Sequence, residues 1–243
     1  MLFFTSDLKE YNIDATDGEM GKIKDLYFDD KNWAIRYAIV DTRKWLPGRK
    51  VLLSPETFVN FNEADKKLEV EYDKEHVRNS PPIPEDRPVT REAETSLIGY
   101  YGWTRHWMTD ARWGPDNGPV TSAFDQGQGG TMEQQLREDI PPEKSRPDYD
   151  LRSEEETLEF KVHADDGKIG MVVDFVYDDQ SRNIQHIVVQ SSEDYVNTEF
   201  YIYRPEEIES VDWFEQDIYV KDSIASLKRN KVYEKKEDIL VER

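Results

Sequence analysis

Short runs in which apolar and polar residues alternate occur in both halves of the chain and predict β-strands. Residues 35–39 place Ile, Tyr and Ile at every second position, which predicts a strand with one apolar face. Residues 68–72 alternate in the same way with glutamates between the apolar positions, and residues 158–162 repeat the pattern. Asp-Gly pairs at 17–18 and 166–167 predict hairpin turns. The pattern therefore predicts a chain built mainly of β-strands.

An internal repeat relates the two halves. Residues 17–29 read DGEMGKIKDLYFD and residues 166–178 read DGKIGMVVDFVYD, with two glycines and three aspartates at a constant offset of 149 residues. The register continues through the alternating strand and, after a slip of one residue, pairs the Pro-Glu at 55–56 with that at 205–206. A repeat at fixed offset over this length predicts a duplicated domain.

We expect an all-β protein made of two small barrels of about six strands each. Short strands separated by turn signals predict a barrel or a sandwich in each copy. The first barrel is placed at residues 1–80 and the second at residues 151–243. A short helix is expected near the end of each copy, at residues 74–79 and 223–230.

A linker is expected between the barrels, at residues 81–150. It opens with four prolines that favour an extended path, and Thr90 is positioned to cap a helix over residues 91–97. The Gly-, Pro- and Gln-rich residues 114–131 predict a flexible stretch. The linker also carries an aromatic cluster, formed by Tyr100, Tyr101, Trp103 and Trp107. Such a cluster predicts docking on a barrel or on a second subunit, with an aromatic cage for a small ligand as the alternative.

The composition of the chain argues against several classes of function. The 243 residues carry a net charge of −20, which argues against nonspecific binding to nucleic acid or to an anionic membrane. The chain has no cysteine, so disulfides, thiolate metal sites and cysteine nucleophiles are excluded. We also expect no signal peptide and no membrane-spanning helix, and therefore a cytoplasmic protein.

No motif in the sequence indicates catalysis. The four histidines do not occur at a metal-ligand spacing, no GxSxG elbow is present, and the glycines at 127–130 do not lie between a strand and a helix. We therefore expect no enzyme activity, no cofactor and no metal. The Asp pairs at 29–30 and 178–179 could hold Ca²⁺ or make turns, and turn formation is favoured because no DxDxDG loop is present.

Two aspartates stand inside predicted strands, where this residue is disfavoured. Asp25 and Asp174 occupy the same position of the two copies. We expect each to cap N–H groups of a loop or to pair with a basic residue, for which Arg36 is the candidate in the first copy.

The stretch VDTRKWLPGRKVLL at residues 40–53 is the candidate interaction loop. Its basic and aromatic side chains are Arg43, Lys44, Trp45, Arg49 and Lys50. The corresponding loop of the second copy, residues 191–199, is acidic and carries Glu193, Asp194, Tyr195 and Glu199. Opposite charges in matching loops allow a self-association contact, between barrels or between subunits, that is steered electrostatically. The alternatives are an anionic partner for the first loop, or a tryptophan that packs on its own barrel while the cations face water.

The motif DGxxGxxxDxxxD followed by an alternating strand resembles the PRC-barrel family. That family is named for the cytoplasmic domain of the photosynthetic reaction-centre H subunit, and the barrel also occurs in a ribosome maturation factor. The resemblance implies a small six-stranded barrel associated with protein or RNA-processing partners. We therefore expect a non-catalytic interaction or scaffold protein that forms a homo-oligomer and binds other, unidentified proteins. The alternatives are an RNA- or ribosome-associated processing factor, with RNA the less expected partner, and an accessory protein similar to the H subunit.

Overall fold

The computed structural model of the chain describes residues 1–106, 150–191, 199–227 and 232–241. The elements of the first half are β1 (Leu2–Phe4), α1 (Thr5–Leu8), β2 (Asn12–Ala15), β3 (Gly18–Asp29), β4 (Ile35–Asp41), β5 (Arg49–Leu53), β6 (Phe58–Asn62), β7 (Lys67–Val70), α2 (Lys74–Asn79), β8 (Ile83–Pro84) and α3 (Arg91–Tyr101). Those of the second half are β9 (Leu151–Ser153), α4 (Glu154–Thr157), β10 (Lys161–Ala164), β11 (Gly167–Asp178), β12 (Asn183–Ser191), β13 (Phe200–Tyr203), β14 (Ile208–Asp212), β15 (Asp217–Val220), α5 (Ile224–Leu227) and α6 (Asp238–Val241). The predicted flexible stretch lies outside the described residues.

The fold is all-β, with two barrel-like sheets and short helices, as the alternation predicts. The first sheet has the strand order β6-β7-β2-β3-β4-β5-β8, and the second has the order β13-β12-β11-β10-β15-β14. Six strands of each copy correspond: β2–β4 match β10–β12 at the offset of 149, and β5–β7 match β13–β15 after the slip of one residue. In each copy the first of these strands pairs in parallel with the last, as Ile13 does with Leu68 and Val162 with Ile218. All other pairings of these six strands are antiparallel.

The repeated motif forms the hairpin that opens each copy. Two residues separate β2 from β3, so the turn is made by Thr16 and Asp17, and Gly18 begins the next strand. The second glycine of the motif stands where two backbones meet. A Cβ atom at Gly21 would lie 2.1 Å from the Asp41 carbonyl oxygen, and one at Gly170 would lie 1.9 Å from that of Gln190. Both positions therefore require glycine.

Two details of the predicted strands are wrong. Residues 158–162 do not form one strand, because Ser153 caps helix α4 through the amide of Glu156, at 3.1 Å, and β10 begins only at Lys161. Strand β4 is not apolar on one face alone. Arg36 and Ala38 are buried as well, since helix α3 covers one face of the strand while the other faces the interior of the sheet.

The two copies exchange their first strands. Strand β1 of the first copy pairs with β11 of the second, with Leu2 opposite Asp178. Strand β9 of the second copy pairs with β3 of the first, with Leu151 opposite Asp29. Leu2 and Leu151 are related by the repeat offset, as are their partners, so the exchange is reciprocal and has an approximate two-fold relationship.

A second reciprocal contact joins the turns after β3 and β11. The amide of Ile35 donates to the Arg182 carbonyl at 2.9 Å, and the amide of Ile184 donates to the Trp33 carbonyl at 2.8 Å. Beneath these turns, the Phe28 ring of the first copy lies 6.1 Å from the Phe175 ring of the second. Buried residues of both copies belong to one continuous apolar cluster. The two copies thus share a core.

Candidate functional site

The predicted interaction loop connects β4 to β5, and its tryptophan packs against its own copy. The Trp45 indole N–H donates to the Met20 carbonyl at 2.6 Å, and the Arg78 guanidinium lies 5.6 Å from the centre of its ring. Trp45 also contacts the apolar core from a half-buried position. This side chain therefore contributes to the packing of the first copy.

The two cations after the turn hold the beginning of the linker. The Arg49 guanidinium donates to the carbonyls of Arg78 and Ser80, at 3.1 and 3.0 Å. The Lys50 ammonium donates to the Arg87 carbonyl at 2.7 Å. Burial lowers the pKa of Arg49 from its usual value. Both side chains therefore make hydrogen bonds within the chain.

The two cations before the turn lie at the surface. Arg43 pairs with Asp41 across 2.6 Å and remains 65% exposed, and its hydrogen bonds lower the pKa of Asp41 to about 2. Lys44 is exposed. The positive charge that this loop can offer to another molecule is therefore concentrated at Arg43 and Lys44.

Most of the predicted acidic loop lies outside the described residues, including Glu193, Asp194 and Tyr195. Glu199, at its end, accepts a hydrogen bond from the Tyr201 hydroxyl at 2.7 Å. The contact between the two matching loops therefore stays a prediction.

The aromatic cluster of the linker lies on the first copy. Tyr101 stacks on Trp103 with ring centres 4.3 Å apart, and the Trp103 indole N–H donates to the Tyr72 hydroxyl at 3.1 Å. The Tyr100 hydroxyl donates to the His76 carbonyl at 2.9 Å. Burial raises the pKa of Tyr101. Tyr100, Tyr101 and Trp103 are brought together as packing between the linker and the barrel, whereas Trp107 lies outside the described residues.

A buried ionic group also fixes the linker helix. Arg36 pairs with Asp29, and its guanidinium lies 3.3 Å from the carboxylate of Glu94 on helix α3. The Tyr37 hydroxyl donates to the same carboxylate at 2.9 Å. Arg36 therefore does not pair with Asp25, because its guanidinium binds Asp29 and Glu94. Of the two predicted roles for Asp25, pairing with Arg36 is wrong and capping of N–H groups is found.

Asp25 and Asp174 each cap a helix of the other copy. The Asp25 carboxylate accepts the Ser153 hydroxyl at 2.6 Å and the Glu155 amide at 3.1 Å, at the start of α4. The Asp174 carboxylate accepts the Ser6 amide at 3.2 Å, at the start of α1. Burial raises the pKa of Asp25. These mid-strand aspartates fasten the exchanged segments.

Among the other repeated aspartates, Asp30 pairs with Arg152 and Asp179 with the amino group of Met1, each across the two copies. The rest make turns or cap helices. Asp29 accepts the Lys31 and Asn32 amides, and Asp178 accepts the Ser181 amide in the matching turn. Asp17 accepts the amide of Lys74 at 3.0 Å at the start of α2. No group of three or more metal-binding side chains is brought together within the described residues.

An exposed aromatic corner lies at the turn between β14 and β15. The Phe214 side chain is 90% exposed and Tyr219 is 40% exposed, while Trp213 is partly buried against the core. The Arg152 guanidinium lies 4.4 Å from the Trp213 ring centre. The prediction missed this corner, defined here as Trp213, Phe214 and Tyr219. Its signal was a Trp-Phe pair where the repeat has Glu63 and Ala64 in the first copy.

Comparison with known proteins identifies the first copy. Residues 1–77 match the family model of the PRC-barrel domain. The first copy is a PRC-barrel domain. A search of curated proteins gives no match. The second copy has the same order of six strands as the first. No helix among the described residues is long and apolar enough to cross a membrane.

Proposed function

We propose that this chain is a non-catalytic scaffold protein that self-associates through the aromatic corner of its second copy. A PRC-barrel domain suggests a general role in protein interaction or scaffolding.

The observation that carries the proposal is the exposure of Phe214. Removing an aromatic ring from water is among the larger single contributions that a residue makes to an interface. Trp213 and Tyr219 lie beside it, and aromatic residues are enriched in interface cores. The first copy has Glu63, Ala64 and Glu69 at these positions, so the corner is specific to the second copy.

The proposed partner at this corner is another molecule of the same chain. Two identical chains can bring the same corner together in a two-fold contact, which is the commonest symmetry of homo-oligomers. The net charge of −20 opposes this approach through long-range repulsion, which salt screens. Self-association through this corner should therefore strengthen as ionic strength rises.

Sedimentation equilibrium tests the proposal over a wide range of protein concentration, in 0.1 M and 0.5 M NaCl. We expect a monomer–dimer equilibrium that tightens in 0.5 M NaCl and weakens at least about tenfold in the Phe214→Ser variant. Val59→Ser is the matched control, because Val59 is an apolar side chain of the first copy that is 65% exposed. A strict monomer at all concentrations, or equal weakening by both variants, would overturn the proposal.

Salt also separates self-association from the RNA-binding alternative. Binding to RNA phosphates weakens as salt rises, since counterions are released on binding.

An Arg43→Glu, Lys44→Glu variant removes the exposed cations of the basic turn. Loss of self-association in this variant, with Phe214→Ser unchanged, would assign the contact to the basic turn instead of the aromatic corner.

A further inference from the structure

The second copy binds a segment of its own chain beside Asp174. The Lys236 ammonium donates to the Asp174 Oδ2 atom at 2.6 Å and to the Ser6 hydroxyl at 3.1 Å. Its charge lies 4.7 Å from the centre of the Phe4 ring. Three residues further on, Ile239 is buried in an apolar cluster with Val176 and Val188. Residues 233–241 thus cover this face with one lysine and a short apolar helix.

Among the described residues, part of the corresponding face of the first copy is an open cleft of about 320 Å³. The residues that lie beneath residues 233–241 in the second copy correspond, at the repeat offset of 149 residues, to residues that line this cleft in the first copy. The matching pairs are Asp174 with Asp25, Val176 with Tyr27, Val188 with Ile39, and Ser6 with Glu155.

The Asp25 carboxylate accepts fewer hydrogen bonds than the Asp174 carboxylate of the second copy. Its Oδ1 atom accepts the amides of Leu26 and Glu155, and its Oδ2 atom accepts the Ser153 hydroxyl. Within the described ranges, no lysine or arginine makes an ion pair with it, whereas Asp174 has Lys236. A carboxylate that is 7% exposed and borders a cleft is a strong acceptor for a cation that enters.

The lining of the cleft defines the chemistry of an occupant. Partly buried Tyr27 offers apolar surface, whereas Ile39 is only 5% exposed and packs with linker residues such as Val89 and Leu97. The negative charge of the lining comes from Asp25, Asp41, Glu85, Glu155 and Glu156. The same cleft is also lined by the basic side chains of Lys24, Arg43, Arg49 and Lys50, which favour an acidic group nearby. A peptide that combines a lysine, an acidic residue and an aliphatic residue matches all three features. Residues 233–241, YEKKEDILV, have this composition.

We propose that the cleft beside Asp25 binds a lysine-bearing peptide segment of a partner protein, in the way that residues 233–241 occupy the second copy. The lysine ammonium pairs with Asp25, and an aliphatic residue of the segment covers Tyr27. The cleft is separate from the aromatic corner, so the two proposals succeed or fail independently.

The test uses the full chain and a fluorescein-labelled peptide of sequence YEKKEDILV, followed by fluorescence anisotropy. We expect saturable one-to-one binding that weakens at least about tenfold in the Asp25→Asn chain, the effect of losing one charge-assisted hydrogen bond. A peptide carrying Lys236→Met should weaken equally. Asp14→Asn is the control chain, because Asp14 pairs with Lys67 at the surface, outside the cleft.

If Asp25→Asn does not fold, a chain carrying Glu155→Gln and Glu156→Gln replaces it, since both side chains are exposed and line the cleft. Absence of binding to the wild-type chain at millimolar peptide would overturn the proposal. Binding that both cleft variants leave unchanged would do the same. Binding lost in Asp174→Asn and retained in Asp25→Asn would also overturn it, since the peptide would then be displacing residues 233–241 from the second copy.

Discussion

The Asp25 carboxylate of the first copy accepts the Ser153 hydroxyl of the second copy at 2.6 Å. The symmetry-related aspartate, Asp174, accepts the Thr5 hydroxyl of the first copy at 2.8 Å. Each barrel-like sheet therefore holds the opening segment of the other. The exchange explains why an aspartate recurs inside a strand, where its side chain caps the backbone of a segment that is distant in sequence.

Replacing the two mid-strand aspartates by asparagine should have unequal effects. Asp174→Asn removes the charge that pairs with Lys236 and should lower the free energy of unfolding by about 1–3 kcal/mol at pH 7. Asp25→Asn keeps an acceptor oxygen and leaves no described cation unpaired, so its effect should stay within about 1 kcal/mol. Urea unfolding followed by circular dichroism measures both. Equal losses would show that Lys236 does not distinguish the two sites.

The stability of the wild-type chain should depend on pH through Asp25. Burial raises the pKa of this carboxyl in the folded chain above its ordinary value of 3.8. Between the unfolded and folded pKa values the folded chain binds more protons, so this group's contribution to stability falls as pH rises. As the pH rises from 4 to the folded pKa of Asp25, the wild-type chain should therefore lose stability relative to the Asp25→Asn variant. Urea midpoints measured across this range test the sign, and parallel curves would contradict it.

Sequence reasoning found the repeat, the hairpins and the helix cap at Thr90, because these depend on local pattern and turn chemistry. It paired Asp25 with Asp174 by position. It did not show that each caps the other copy, since that depends on where a distant segment passes. It also treated Arg49 and Lys50 as surface charges. Most of their acceptors are main-chain carbonyls, which cannot be identified from the sequence.

Breaking the buried ionic group should destabilise the first copy strongly. Arg36→Met leaves the carboxylates of Asp29 and Glu94 buried without their cation, which should cost about 3–5 kcal/mol. Arg43→Met is the control, because its pair with Asp41 is exposed, and it should leave the urea midpoint unchanged. A small effect of Arg36→Met would mean that helix α3 is held by apolar packing alone.

The second glycine of the motif should not tolerate a side chain. Gly170→Ala places a methyl group against the Gln190 carbonyl and should cost about 1–3 kcal/mol. Gly99→Ala is the opposite case. It lies in helix α3 with open space around it, and the change should stabilise by about 0.5–1 kcal/mol. Thermal unfolding of the two variants distinguishes them, and stabilisation by both would contradict the close approach at Gly170.

The exchange of first strands is the central feature of the fold. Because the chain has no cysteine, an introduced pair of cysteines can test this exchange directly. Met1 and Asp179 form a hydrogen-bonded pair, with the Asp179 amide 3.1 Å from the Met1 carbonyl oxygen. Leu2 and Asp178 are therefore a non-hydrogen-bonded pair, whose Cα atoms lie close enough for a disulfide.

The measurement is the oxidation of a Leu2→Cys, Asp178→Cys chain, followed by non-reducing electrophoresis and peptide mapping, with Leu2→Cys alone as the control. The account predicts a disulfide between positions 2 and 178 of the same chain, recovered at monomer mass. A disulfide that forms only between two chains, or no disulfide in the folded protein, would contradict it.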